Sequence, residues 1–554
     1  MMINEIATIK IDGVYESFEL HDEFVDWLTN QCKQHYKKVF NNNDRIYFEY
    51  TKDSYDPENS IGLRLQTIQE VINKVDISNF FVVIKTTNPN IRQEINNLKN
   101  ISTDPVEIKF EIIDGEFQKE IIDKKPKIYE YGSRIPWKIS LSELDDYEKE
   151  LLLKSDTFCI YPWIHLHAHP NGAAYPCCFT KMNCSVGSVK RNTIKEIINS
   201  NDMNQLRLDM LSNKPNEACQ ACYEQEKHGF FSGRNSANKH HGHHISKVKE
   251  TNADGSLNNF EMIYWDIRFS NLCNLSCRSC GHIFSSSWYK DQTILAGPEW
   301  AKNNKALQIA GRSETDMIEQ LMEHIDCVEQ IYFAGGEPLM MDEHYIILEE
   351  LEKRKKFDVR LIYNTNFTKT KLKDREVFDF WRKFDSVSVG ASLDAMGPHA
   401  EYIRKGTKWN EVVENRKRMM EICPNVDFYI SATLSIMNVY HILDFHRTWV
   451  DLGLIEAKDF NINILLTPDH YRIDIAPKEY KKYLTKLYEQ HLEWLADKDP
   501  LQRATNGFQS AISFMNAIDN SHLLNTFWEK TLQLDEIRNE NIYDFIPEIE
   551  NLHQ

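Results

Sequence analysis

Nine of the twelve cysteines fall between Cys159 and Cys280, in three clusters. Disulfides are rare where thiols are kept reduced, so clustered thiols point to metal chemistry. The densest cluster is CNLSCRSC, in which Cys273, Cys277 and Cys280 are spaced C-x3-C-x2-C. Three thiolates on one short loop suit a soft metal centre, and the loop offers no fourth cysteine to close a tetrahedral zinc site. An iron–sulfur cube takes one ligand per iron, so three protein ligands would leave one iron open. Upstream, CIYPWIHLHAHPNGAAYPCC contains the pattern C-x12-G-x4-C, from Cys159 through Gly172 to Cys177, and Cys219 and Cys222 form a later C-x2-C pair. On spacing alone, two separated pairs could equally build a four-thiolate zinc ribbon. His165, His167 and His169 alternate and would share one face of a strand. They read as packing and hydrogen-bonding groups around the thiols. The HHGHH run, His240 to His244, could bind a metal, but no sequence neighbour completes a geometry, so it reads as an exposed loop. Cys32, Cys327 and Cys423 stand alone and read as small buried hydrophobes.

The elements that must position these residues follow from periodicity. From Glu261, six strand candidates (MIYWDIRFS, QIYFAGG, VRLIYNTN, SVSVGASLD, VDFYISATLS and FNINILLTP) alternate with helical stretches such as DEHYIILEELEKRKK. Such alternation implies parallel pairing through right-handed crossovers and an open or partly closed barrel. Ligands then bind at the carboxyl ends of the strands, where CNLSCRSC lies after the first. The expected architecture is α/β: a partial (β/α)6 barrel over 259–470, a cysteine-rich module over 150–230, a linker over 231–258, a helical cap over 471–554 and an α/β domain over 1–140. In that N-terminal part IATIKI, RIYFEY, FFVVIK and VEIKFEII alternate with helical patterns. It lacks a phosphate loop or catalytic constellation and is expected to serve recognition or scaffolding.

At 554 residues the chain exceeds a single hydrophobic core, and a charged fraction of 27% is that of an ordinary globular protein. Eighty-three acidic against sixty-five basic residues give a formal charge of −18, which argues against a nucleic-acid partner. No apolar run approaches the ~20 residues of a membrane span, and MMINEIATIKIDG lacks a signal-peptide pattern, so a cytoplasmic location without membrane contact is expected.

The cysteine loop at the end of the first strand resembles the signature of the radical S-adenosylmethionine (SAM) superfamily, and the later strands carry matching elements in order. FAGGEPLM places Gly335, Gly336, Glu337 and Pro338 where that family binds the SAM amino group. YNTNF supplies Asn364, Thr365 and Asn366. GASLDAMGPHAEYIRKG implies Ser392 and Asp394 near the SAM ribose and Arg404 on its carboxylate. ISATLSIMNV offers Ser435 and Asn438 on the adenine side. Ser279 stands where the family commonly has a bulky residue against the adenine, and Phe284 or Tyr289 could supply a ring instead. The segment from Cys159 to Cys222, including GSVKRNTIKEIINSNDMNQLR and CQAC, is similar to SPASM or twitch modules, which usually follow the barrel rather than precede it. The likeness implies Cys159, Cys177, Cys219 and Cys222 as ligands of one auxiliary 4Fe-4S cluster, with Cys178 and Cys184 spare and either able to replace Cys177.

The resemblance therefore implies an enzyme with a SAM-binding 4Fe-4S cluster on Cys273, Cys277 and Cys280, a second auxiliary 4Fe-4S cluster, and SAM itself. One electron cleaves SAM to a 5′-deoxyadenosyl radical, which abstracts hydrogen from a substrate, expected to be a peptide or protein. Partners would include an electron donor such as flavodoxin or ferredoxin. Radical modification of a small metabolite is the alternative enzymatic reading, and a zinc-stabilised, non-catalytic binding protein is the alternative from another class. No catalytic acid, base or hydrogen-donating residue is singled out.

Overall fold

The computed structural model describes strand residues 7–10, 46–50, 81–86 and 107–112, residue 136, and residues 138–227, 231–500 and 502–553. The chain forms two compact units, Met1–Lys154 with Asn238–His240, and Ser155–Ala237 with His241–Gln554. In the first, β1 (Ala7–Lys10), β2 (Ile46–Tyr50), β3 (Phe81–Thr86) and β4 (Glu107–Ile112) pair in parallel in that order. These are the four runs whose apolar alternation marks them as strands. The helical patterns between them, the connection IIDKKPKIYEYGSRI and Cys32 lie outside the described residues.

The second unit is built on one sheet. Its strands are β5 (His165–Ala168), β6 (Ala173–Tyr175), β7 (Gly187–Ser188), β8 (Tyr264–Ile267), β9 (Gln330–Phe333) and β10 (Arg360–Thr365). After a small hairpin of β11 (Lys371–Leu372) and β12 (Arg375–Glu376) come β13 (Val387–Ala391), β14 (Asp427–Leu434) and β15 (Phe460–Ile464). The spatial order is β15-β14-β13-β10-β9-β8-β5-β6-β7. All six expected barrel strands form, and every pairing among them is parallel. Because they line up in chain order and right-handed crossovers are the rule, the helices gather on one face. Burial follows suit. On β14, Phe428, Ile430, Ala432 and Leu434 are buried while Tyr429, Ser431 and Thr433 between them are half-buried. A Cβ added to Gly390 would meet Asn364 Oδ1 at 2.8 Å and Tyr429 Oη at 2.9 Å, so these residues share the inner face.

The cysteine-rich segment joins this sheet directly. β5 pairs in parallel with β8, from His165 opposite Tyr264 to Ala168 opposite Ile267, and β6 and β7 add an antiparallel edge. The glycine of C-x12-G-x4-C makes the β5–β6 turn: Gly172 has φ of +89°, which L side chains rarely adopt, and its N–H donates to His169 O at 2.8 Å. Arg207, fully buried, donates to the carbonyls of Pro162, Ile198 and Gly255 and so ties the helix Asn201–Leu211 to both neighbouring segments. The stretch read as an exposed loop is helical instead. Helix Gly233–His241 runs into a 3-10 helix over Gly242–Glu250 that buries His241, Gly242, Ile245 and Val248. A parallel pair cannot be joined by a tight turn, and this segment belongs to the crossover from β5 to β8.

After the barrel come helices Lys478–Leu495, Arg503–Ala517 and Leu524–Arg538. The last of these fastens to the back of the cysteine loop. Arg278 pairs with Asp535 and, at 2.8 Å, with Glu540, and its guanidinium lies over the Tyr402 ring. Asp535 also accepts from Tyr402 Oη at 2.9 Å and from Ile542 N at 2.9 Å. Arg538 donates to Ser276 O at 2.8 Å and pairs with Asp291. Among the described residues no helix is long and apolar enough to cross a membrane. Asp535→Ala leaves Arg278 with Glu540 alone and takes the buried acceptor from Tyr402 Oη and Ile542 N, so it is expected to lower the unfolding free energy by about 1–3 kcal/mol. Urea denaturation of the purified chain measures this, and a loss near zero would mean that the tail does not hold the loop.

Candidate functional site

Two thiol groupings form on the sheet, one at the carboxyl end of β8 and one beside β5. In the first, the loop from Cys273 to Cys280 is shaped by backbone contacts rather than by its own sequence periodicity. Ser276 N donates to Lys405 O at 2.9 Å, Arg278 N to Ile403 O at 2.8 Å and Trp288 Nε1 to Cys277 O at 2.8 Å. Burial pushes the Cys273 thiol up to about 12 and Cys280 up to about 11, and the neighbouring thiol of Cys277 adds to both. Three groups that repel one another when ionised in a dry place are stable as thiolates only with a cation or cluster between them.

The GGEP loop after β9 packs on this loop through backbone. Gly336 N donates to Ser270 O at 3.2 Å and Glu337 N to Leu272 O at 2.6 Å. A Cβ on Gly336 would come within 2.2 Å of Leu272 O, so only glycine permits the approach. Glu337 is fully buried. Its Oε1 accepts from Thr365 Oγ1 at 2.7 Å and Leu339 N at 3.1 Å, and its Oε2 from Asn366 N at 2.7 Å. Burial pushes the carboxyl up to about 7 against the pull of those three bonds. Glu337 thus ties GGEP to the TN element and keeps one Oε2 lone pair for a ligand. Asn366 Nδ2 donates to Asn274 Oδ1 at 2.9 Å and lies 3.8 Å from Cys273 Sγ.

Asp394 and Arg404, expected on the ribose and the carboxylate of SAM, are bonded to each other. Arg404 Nε and Nη2 grip Asp394 Oδ2 and Oδ1 at 2.8 and 2.9 Å, Thr433 N donates to Oδ1 at 2.8 Å, and Arg404 Nη1 is 3.7 Å from Cys277 Sγ. A guanidinium buried without its anion would be costly, and Asp394 supplies that anion; one edge of Arg404 remains for the cysteine loop. Ser392 N donates to Thr365 O at 2.7 Å, which aligns β13 with the TN element. Ser435 and Asn438 are spent on the loop after β14: Asn438 accepts from Ser435 N at 2.8 Å and donates to Asp394 O at 2.8 Å. Of the two rings considered in place of Ser279, Tyr289 bonds to Ala301 O and packs with Trp300, whereas Phe284 is exposed beside His169.

In the second grouping, Cys159, Cys177, Cys219 and Cys222 all line one pocket. Cys219 ends a short 3-10 helix whose cap, Asn216 Oδ1, accepts from Ala218 N at 3.1 Å; Cys222 follows one turn later. Burial pushes Cys159 well up and Cys177 up to about 11, and Cys219 and Cys222 are shifted the same way. Cys178 and Cys184 do not line the pocket. Cys178 is exposed, its thiol near the charges of Asp266 and Arg268, and Cys184 lies against Asn183. Four thiols converging on one pocket, Cys159 and Cys222 buried and Cys177 and Cys219 half-buried, fit a cluster. A zinc ion at a Zn–S distance of about 2.3 Å holds its sulfurs about 3.8 Å apart. Among the described residues no three cysteine sulfurs, in either grouping, lie within 4.8 Å of one another.

The histidines of HLHAH belong to a buried polar chain whose other members, Asp266 and Arg268, carry no motif in the sequence. His167 Nδ1 meets Asp266 Oδ2 at 3.0 Å, and Arg268 Nε meets Asp266 Oδ1 at 2.9 Å while its guanidinium lies over the Tyr332 ring. Burial works against the Asp266 charge, but Arg268 and His167 hold its carboxyl below the usual range. His165 donates through Nδ1 to Tyr264 O at 2.9 Å and packs against Tyr161, which lines the auxiliary pocket. The alternation in HLHAH and in WDIR was the available signal. Two adjacent strands in register place those positions on one face.

Six parallel strands thus carry three thiols on the loop after β8, and four more thiols line a pocket beside the added strand β5. Comparison with known families sharpens this. The model of the radical SAM superfamily matches residues 267–442, and that of the SPASM iron–sulfur cluster-binding domain matches residues 159–223. The chain therefore has an α/β radical SAM fold with a SPASM module, a domain pair that implies a 4Fe-4S cluster with SAM and auxiliary iron–sulfur clustering. No curated protein sequence matches. Among solved structures, anSMEcpe with bound AdoMet is 18% identical with a TM-score of 0.28, covering 43% of this chain and 61% of its own. Streptococcus suis SuiB bound to the precursor peptide SuiA is 14% identical with a TM-score of 0.28, covering 52% of this chain and 63% of its own. The chain thus spans less than two thirds of the length of either.

Two substitution series test the geometry. Gly336→Ala is expected to lower stability by roughly 1–3 kcal/mol through forced overpacking, while Gly281→Ala, whose added Cβ meets nothing within 4 Å, serves as the neutral control. Cys219→Ala is expected to lose about four irons per chain after anaerobic reconstitution, and Cys178→Ala and Cys184→Ala none. Iron loss from Cys178→Ala would move the ligand set to that residue.

Proposed function

We propose that the chain is a radical SAM enzyme that cleaves SAM reductively and removes a hydrogen atom from a peptide or protein substrate. The observation that carries this reading is the gathering of Cys273, Cys277 and Cys280 with the GGEP backbone, Asn366 and Arg404 at the carboxyl ends of parallel strands. The three thiolates would hold three irons of a cube and leave the fourth for SAM. The chemistry these cofactors supply when bound is one-electron cleavage of a sulfonium and hydrogen-atom abstraction.

The chain's own residues bind and orient. Gly335 and Gly336 bring backbone groups against the loop, Glu337 Oε2 offers an acceptor for an ammonium, and Arg404 Nη1 offers a donor for a carboxylate beside Cys277. Asp394 fixes the guanidinium so that this donor needs no reorganisation when the ligand arrives. Cys159, Cys177, Cys219 and Cys222 would satisfy all four irons of an auxiliary cube. A substrate then finds no ligand position there and must be held by side chains of the inner face. That face presents Tyr332, Asn364, Tyr429 and Ser431, whose amides and hydroxyls suit the amides of a peptide. The match to a SPASM module, common in peptide-modifying members of this superfamily, supports the same substrate class. An external electron donor of the flavodoxin or ferredoxin kind would reduce the cluster.

Anaerobic protein reconstituted with iron and sulfide should carry about eight irons per chain, and with SAM and dithionite it should release 5′-deoxyadenosine. Cys277→Ala should lose the nucleoside and keep about four irons, those of the auxiliary site. A fully loaded wild-type protein that leaves SAM intact would end this reading.

A further inference from the structure

The HHGHH run is a metal-ligating sequence that the cysteine sites do not use, and the fold supplies the ligand that its neighbours in sequence do not. His243 Nε2 lies 3.0 Å from Glu329 Oε2 and 3.3 Å from Oε1, and His244 Nε2 lies 2.9 Å from Oε1. The two rings are 4.0 Å apart between centroids, and one ligand atom from each of the three residues lies within 4.8 Å of the others. Backbone bonds fix the carboxylate's place: Glu329 N donates to Ile263 O at 2.9 Å, and Glu329 O accepts from Arg360 N at 2.9 Å. Glu329 therefore stands where β8, β9 and β10 begin, at the end of the sheet opposite the cysteine loop.

We propose that His243, His244 and Glu329 bind one divalent transition-metal ion of the zinc class, with water completing the coordination. Ligands about 2.0–2.1 Å from a tetrahedral ion lie about 3.3 Å apart, close to the separations observed. Two imidazoles and one carboxylate select zinc and its neighbours over calcium and magnesium, which prefer oxygen alone. The side chains are 14%, 17% and 31% exposed, enough for an ion to enter and keep a water. The ion would clamp the crossover between the SPASM module and the barrel onto the base of the second barrel strand. That role is structural and does not depend on the radical reading.

The test uses the full chain with its iron–sulfur clusters reconstituted, so that the thiols are occupied, then stripped with EDTA and titrated with zinc chloride. Wild-type protein should retain about one zinc per chain after desalting and melt at a higher temperature as zinc rises, since a ligand that binds only the folded state stabilises it. Glu329→Gln and the double variant His243→Asn/His244→Asn should lose that zinc with their iron content unchanged. Retention of the zinc by Glu329→Gln would overturn the site. Should the variants not fold, the wild type alone decides: a melting temperature insensitive to zinc means that the three residues form only a hydrogen-bonded clasp, and the proposal fails.

Discussion

The parallel pairing of β5 with β8 is the constraint from which much of this architecture follows. Four residue pairs, extended by Ile263 N on Ile164 O and Arg268 N on Ala168 O at 2.9 Å each, make the first strand of the cysteine module a neighbour of the first barrel strand. Parallel neighbours need a long connection, because the chain must return to its starting end before pairing again. Here that connection contains Cys177, Cys219, Cys222, the helix Gly233–His241 and the HHGHH run. The strands of the cysteine-rich module and of the barrel thus share one sheet although the module comes first in sequence. The order of domains along a chain matters less than which strand edge each presents.

The pairing also decides what lies between the two thiol groupings. Strands in register put alternate residues of each on one face, so HLHAH and WDIR interleave as His165, His167, Tyr264 and Asp266, with Arg268 just beyond. Burial lowers the His165 imidazole to about 4, and the carboxylate of Asp266 faces His167 at 3.0 Å. Both nitrogens of that ring need not be satisfied at once. Nδ1 meets only acceptors on Asp266, so the neutral ring carries its proton there and leaves Nε2 as a buried lone pair. A polar chain of this kind, running from Tyr161 at the auxiliary pocket to Tyr332 on the inner face, is a product of register rather than of any local motif.

What the sequence made legible was whatever local periodicity or fixed spacing encodes. All six barrel strands form where alternation placed them, Gly172 makes a tight turn, and Cys159, Cys177, Cys219 and Cys222 line one pocket. What it hid depended on partners distant in sequence. Asp394 and Arg404 each match a motif whose ligand lies outside the chain, yet a buried guanidinium and carboxylate in reach of one another pair first. HHGHH looked incomplete because Glu329 is some eighty-five residues away and is brought near only by the start of β9. The crossover helix was masked by its Ser, Asn and Gly content, since weak intrinsic propensity is overridden once a segment packs against a sheet.

Buried charge in an otherwise acidic chain sets the character of both thiol groupings. Arg234 near Cys159 pairs with Glu226, Arg404 at Cys277 with Asp394, and Arg538 behind the same loop with Asp291. Each cation lowers the cost of a nearby thiolate, and each is neutralised on its far side, so neither site accumulates a bare positive charge that water would have to solvate. Arginine suits this better than lysine. A planar fork can place two N–H groups on a carboxylate and still direct a third at sulfur, as Arg404 does with Nη1, whereas an ammonium offers no such fixed division. The orientation of those donors is therefore set before any cofactor arrives, and the energy of binding need not be spent on turning them.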